Sequence, residues 1–133
     1  MDAAAAARAW VDAWERAWPV GDVEAVAPVY AEGAVFYSHP FREHEAPQDY
    51  LTWAFAEQSS AVCRFGEPIV ALDRAAVDWW AVMTAPDGSE KTIAGTSLLR
   101  FGGDGRVVEQ RDVWAIELGS RDLPDWAPRA NQG

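Results

Sequence analysis

At 133 residues the chain has the size of one domain and can bury a core without disulfides or metals. Its net charge of −10 argues against two partner classes, because such a surface repels nucleic-acid phosphates and offers no attraction to anionic membranes. The one cysteine, Cys63, has no partner for an internal disulfide, which suits a reducing, cytoplasmic setting.

The first half reads as helix. Asp2 is an N-cap for a helix through the alanines to Trp18, ended by Pro19 and Gly21. The N-terminus has neither a basic leader nor a long apolar core, so no secretory leader is expected, and no apolar run reaches membrane-spanning length. Trp10, Trp14 and Trp18 recur every four residues and share one helix face, which needs a large apolar partner such as a sheet. Asp22 caps a second helix toward Tyr30, and Pro28 predicts a kink or early end because it lacks a backbone donor. Ala34 to Ser38 is a brief strand, stopped at His39-Pro40. A third helix starts at Pro47 and runs to about Gln58.

From Val62 onward the pattern changes to period two. Four strands are predicted, Val62–Leu72, Ala76–Thr84, Lys91–Phe101 and Val107–Ile116, with the first split or at an edge because of Pro68. Short turns at Asp73-Arg74, Pro86-Asp87-Gly88 and Gly102 to Gly105 make them an antiparallel meander. The predicted fold is α+β: a curved antiparallel sheet wrapped as a cone around three N-terminal helices, enclosing a single pocket. The domain spans 1–118, and 119–133 is an irregular tail anchored by Trp126. The eight tryptophans serve either as core or as the walls of a cavity for a flat apolar ligand.

Two stretches, WVDAWERAWPVGDVEAVAPVYAEGAVFYSHP and GTSLLRFGGDGRVVEQRDVWAI, resemble the SnoaL-like branch of the nuclear-transport-factor-2-like superfamily. That resemblance implies the cone fold, a homodimer through the outer face of the sheet, and a ligand pocket. It does not imply one reaction, since the superfamily holds isomerases, cyclases, epoxide hydrolases, dehydratases and binding proteins. Where ketosteroid isomerases carry their tyrosine donor, aspartate base and protonated aspartate, this chain has Trp14, His39 and Ser97. Of the limonene-type epoxide hydrolase set, only the second aspartate is matched, by Asp112. The arginine and first aspartate of that set fall at Asp78 and Trp80, and the water-holding residues at Phe36 and Ser38. SnoaL-type polyketide cyclases use an acidic residue that also falls at Asp112.

Strand alternation puts Gln110, Asp112 and Trp114 on one face, and the resemblance turns that face to the pocket. Asp78 with Trp80, and Ser97 with Leu99, share faces on the neighbouring strands. The candidate catalytic residues are Asp112, His39 and Asp78. The candidate substrate-binding residues are Trp14, Trp80, Ser97, Gln110, Trp114, Phe36 and Phe55. A buried carboxylate acquires a raised pKa suited to acid/base work near neutrality, and His39 titrates there unaided. Each has a structural alternative: Asp112 pairing with Arg111 of a dimer partner or with a backbone amide, His39 capping its loop, Asp78 on a solvated face. His44, between Glu43 and Glu45, reads as a surface residue, and Cys63 as a small buried hydrophobe despite Arg64 beside it. No metal or cofactor is expected. Two functions stay open: a cofactor-free enzyme acting by proton transfer on a hydrophobic polycyclic or terpenoid-like molecule, and a non-catalytic binder of an apolar ligand.

Overall fold

The computed structural model describes residues 1–123 and 125, so Trp126 lies outside the described residues. Helix α1 spans Ala3–Ala17, and the Asp2 carboxylate accepts hydrogen bonds from the Ala4 and Ala5 amides. A 3-10 turn, Trp18–Val20, follows and ends at Gly21, whose φ of 66° is the left-handed conformation glycine adopts without strain. Asp22 caps α2, Val23–Val26, through the Ala25 amide. Pro28 cuts this helix short, and the chain continues as a 3-10 turn, Ala27–Val29. Strand β1, Tyr30–Tyr37, starts four residues earlier than the sequence pattern suggests. Helix α3, Pro47–Ala56, then leads to β2, Ser60–Phe65. Pro68 divides the next stretch as expected, leaving β3 as Ile69–Ala71. Three long strands complete the fold: β4, Arg74–Thr84; β5, Glu90–Phe101; and β6, Val107–Leu118.

The helices pack on one face of a curved, unclosed sheet of six strands in the order β1-β6-β5-β4-β2, with β3 also paired to β4. The β4-β5-β6 meander forms as the short turns dictate. The sheet is nevertheless mixed, because β1 runs parallel to β6. Short turns constrain only consecutive strands. α3 stands between β1 and β2, and a helix crossover frees β1 to join the far edge beside β6.

The tryptophan stripe of α1 fills the concave side. Trp10 lies 5.9 Å from Trp14 and Trp14 lies 5.8 Å from Trp18, measured between ring centroids. Phe65 meets Trp10 edge-on at 5.6 Å, and Trp79 meets Trp18 at the same distance. These are the tilted and T-shaped geometries that the ring quadrupole favours. The α1 stripe thus forms the roof over the inward face of β4, β5 and β6.

Candidate functional site

A cavity of about 200 Å³ opens between the α1 stripe, α3 and the concave face of the sheet. Trp10, Trp14, Trp18, Phe55, Phe65 and Trp79 supply much of its apolar wall, while Ser97, Gln110 and Asp112 are the polar groups on the sheet side. The register explains why these three meet. Ser97 on β5 is directly opposite Asp112 on β6, and Gln110 precedes Asp112 by two residues on the same face. Gly95 faces Trp114 on one side and Trp79 on the other. A Cβ there would lie 2.7 Å from the Trp114 Cβ and 2.8 Å from the Trp79 Cη2, so glycine is what lets both indoles stand on this wall.

The polar groups form one directed network that ends on Asp112. The Trp14 indole donates to the Tyr30 hydroxyl (3.1 Å), and that hydroxyl donates to Gln110 Oε1 (2.5 Å). Trp10 donates to the same Gln110 oxygen at 3.1 Å. With its oxygen taken twice, Gln110 turns its amide nitrogen to Asp112 Oδ1, at 3.0 Å. From the other side Trp79 donates to Ser97 Oγ (3.0 Å), and Ser97 donates to Asp112 Oδ1 (2.7 Å). Both donors reach Oδ1. Among the described residues no hydrogen bond goes to Oδ2, and Asp112 lines the cavity.

Asp112 is 8% exposed and has no cation within ion-pairing distance among the described residues. Burial pushes its pKa from 3.8 up to about 7, against the opposing effect of the hydrogen bonds from Ser97 and Gln110. Protonated and ionised forms therefore coexist near neutral pH. Because Oδ1 is held as an acceptor by two donors, the acidic proton belongs on Oδ2. The network thus leaves the titratable O–H free of protein acceptors, among the described residues, on a side chain that lines the cavity.

The sequence matches the SnoaL-like domain family over residues 7–110. The chain belongs to that family. Solved structures agree at the level of fold. A nuclear-transport-factor-2-like protein of unknown function from Exiguobacterium superposes with a TM-score of 0.70 at 15% identity, covering 83% of this chain and 98% of that one. The epoxide hydrolase/cyclase-like enzyme SalBIII, which acts in pyran ring formation in the polyether salinomycin, gives 0.66 at 20% identity, with 85% and 92% covered. A hypothetical protein with a ketosteroid-isomerase-like fold from Catenulispora acidiphila, solved with trimethylamine, gives 0.66 at 16%, with 77% and 82% covered. No curated protein matches the sequence.

Within this SnoaL-like domain, the cavity gathers Asp112, Ser97, Gln110, Trp14, Trp114 and Phe55 from the sequence-predicted set. It does not gather Asp78, Trp80, His39 or Phe36. On β4 the buried residues are Ala75, Val77, Trp79 and Ala81, so Asp78 and Trp80 point to the outer face of the sheet. The physical reason is cross-strand opposition: Ser97 faces inward and is paired with Val77, which forces Asp78 outward. The Asp78 carboxylate leans over Gly66, where a Cβ would come within 2.1 Å of its Oδ1. His39 turns its ring edge-on to Trp114 at 5.1 Å, and its Nδ1 accepts the Phe41 amide at 3.1 Å, the loop-capping arrangement. Phe36 is fully buried and stacks on Tyr50 at 4.4 Å, in the layer behind the cavity wall. His44 is exposed and lies against Tyr37. Burial pushes the Cys63 thiol up to about 12, which keeps it protonated and unreactive. No cluster of three or more His, Cys, Asp or Glu side chains suited to a metal occurs among the described residues.

Other residues of the site carry little local signal in the sequence. Tyr30 reads as the end of a helix, yet it opens β1 and sends its hydroxyl into the network. Gln58 clamps Trp18 twice, accepting from the indole N–H (3.1 Å) and donating to the Trp18 carbonyl (2.7 Å). Tyr50 lines the cavity, and burial together with the charge of Asp112 raises its phenol pKa. Arg42, Trp53 and Trp114 complete the wall at its open side.

Proposed function

We propose that this SnoaL-like protein is a cofactor-independent enzyme that transfers a proton to or from a hydrophobic ring-bearing or terpenoid-like small molecule, with Asp112 as the general acid or base. One observation carries the reading: a buried carboxyl pushed up to about 7 that lines a largely apolar cavity, with one oxygen fixed by Ser97 and Gln110 and the other without a hydrogen bond among the described residues. In the protonated form, Oδ2 donates to a ligand oxygen. In the ionised form it removes a proton, and the two fixed donors stabilise the charge that remains. A group titrating near the working pH is the most effective proton-transfer catalyst. The indole walls exclude water and strengthen each electrostatic contact inside. Isomerisation, cyclisation, dehydration and hydrolysis all begin with such a transfer. The likeness to SalBIII supports ring closure as one member of that group.

His39 and Asp78 have no part in this chemistry, since neither reaches the cavity. A homodimer through the outer face of the sheet fits the exposed Val62 and Val113 there. The test is a product screen with ring-bearing and terpenoid ligands on wild type and Asp112→Asn. The expected result is a fall in kcat of about 100- to 10,000-fold with affinity changed only a few-fold. Normal turnover by the variant would overturn the assignment. Tight binding with no product from wild type would make the protein a carrier of the same ligands.

A further inference from the structure

Arg42 belongs to the loop after β1, and its guanidinium occupies an unusual place. Its central carbon stands 5.5 Å from the Trp53 ring centroid and 5.8 Å from that of Trp114, so two indoles of the cavity wall grip it. Of the five N–H donors of an arginine, one goes to Ser38 Oγ at 3.1 Å. Among the described residues it makes no ion pair, although Glu43 and Glu45 follow it closely in a chain of net charge −10. Glu45 is engaged elsewhere, accepting the Trp53 indole N–H at 2.9 Å. Of the other titratable groups on the cavity lining, Glu57 and Lys91 offset each other, and the Asp112 carboxyl is pushed up to about 7.

Position adds to this. Asp112 and Trp114 leave the same face of β6 about 7 Å apart, and Arg42 is stacked on the second of them. The guanidinium and the carboxyl thus flank the cavity without touching. Tyr50 also lines the cavity, and its phenol is pushed up by the charge of Asp112 and drawn down by that of Arg42. An apolar ligand reaching Asp112 with one end presents its other end to an unpaired, planar, bidentate donor.

Building on the reading of the cavity as a ligand site, we propose that the substrate is a carboxylate: a flat apolar skeleton held among the indoles, with an acid group seated on Arg42 at the mouth. The indoles hold the guanidinium plane in place, so little side-chain freedom is lost when a carboxylate pairs with it. Two parallel N–H···O bonds match the fork geometry of arginine and not the point charge of lysine.

The probes are naphthoate and anthracene carboxylate, each paired with its methyl ester, titrated at neutral pH by tryptophan fluorescence and calorimetry. Wild type binds each acid about ten- to a hundredfold more tightly than its ester. Arg42→Met abolishes that preference, so that each acid and its ester bind the variant alike. Arg42→Lys restores only part of it. Equal affinity of acid and ester in wild type, or a preference that survives Arg42→Met, overturns the proposal while leaving the cavity reading intact. Binding of neither acid nor ester overturns the cavity reading and this proposal together.

Discussion

Replacing Asp112 by Asn keeps the shape of the side chain and removes its titration. The consequence for stability follows from the structure. In the unfolded chain the carboxyl has its ordinary pKa of 3.8, and in the folded protein burial raises it to about 7. The folded state therefore holds the proton more tightly. The stabilisation is complete below about pH 4 and is lost as pH rises toward about 7, beyond which it is flat. At about 1.4 kcal/mol per pH unit the whole difference amounts to about 4 kcal/mol, an upper figure for a group that opens onto a cavity. Asn retains an oxygen to accept from Ser97 and Gln110 and carries no charge to bury. Urea unfolding of wild type and Asp112→Asn, run in parallel from about pH 4 to about pH 8, reads the difference. The variant gains on wild type as pH rises, levelling off about 2–4 kcal/mol ahead, so the proposed catalytic group costs the protein stability at neutral pH. Parallel stability curves, or a variant that loses ground as pH rises, would refute the reasoning.

Ser97→Ala removes a donor that opposes the upward shift of Asp112 and leaves the Trp79 indole N–H without its acceptor. It should raise the Asp112 pKa further and cost about 1–3 kcal/mol, measured by NMR titration and urea unfolding. Tyr30→Phe deprives the Trp14 indole of its acceptor and Gln110 of a donor, and should cost a similar amount. Gly95→Ala pushes a methyl group against Trp79 and Trp114, and should destabilise by about 1–3 kcal/mol while weakening ligand binding, read in the same titrations. Asp78→Ala, on the outer face, should leave ligand affinity unchanged.

The helical half was legible because its signals are local. Asp2, the Trp10–Trp14–Trp18 spacing and Pro28 each act within a turn or two of the chain, and the structure follows them. The inward face of β6 was legible for a similar reason, since alternation groups Gln110, Asp112 and Trp114 whatever the neighbouring strand does. The face of β4 was harder. Trp79 and Trp80 put an indole on each side of the strand, so hydrophobicity does not choose between them. Only the pairing of Val77 with Ser97 decides, and that is a non-local fact. The parallel pairing of β1 with β6 joins residues far apart in sequence, and no turn encodes it. Arg42 sits in a loop without periodicity. Its role depends on two tryptophans, one from α3 and one from β6, that meet only in the folded chain.

The central claim is that Asp112 exchanges a proton with the cavity near neutral pH. Its carboxyl carbon, followed by NMR through a pH titration and assigned by its loss in Asp112→Asn, reports this directly. The account predicts an inflection near pH 7. An inflection near the ordinary value of 3.8 would contradict it, because Asp112 would then be a fixed carboxylate with no proton to give.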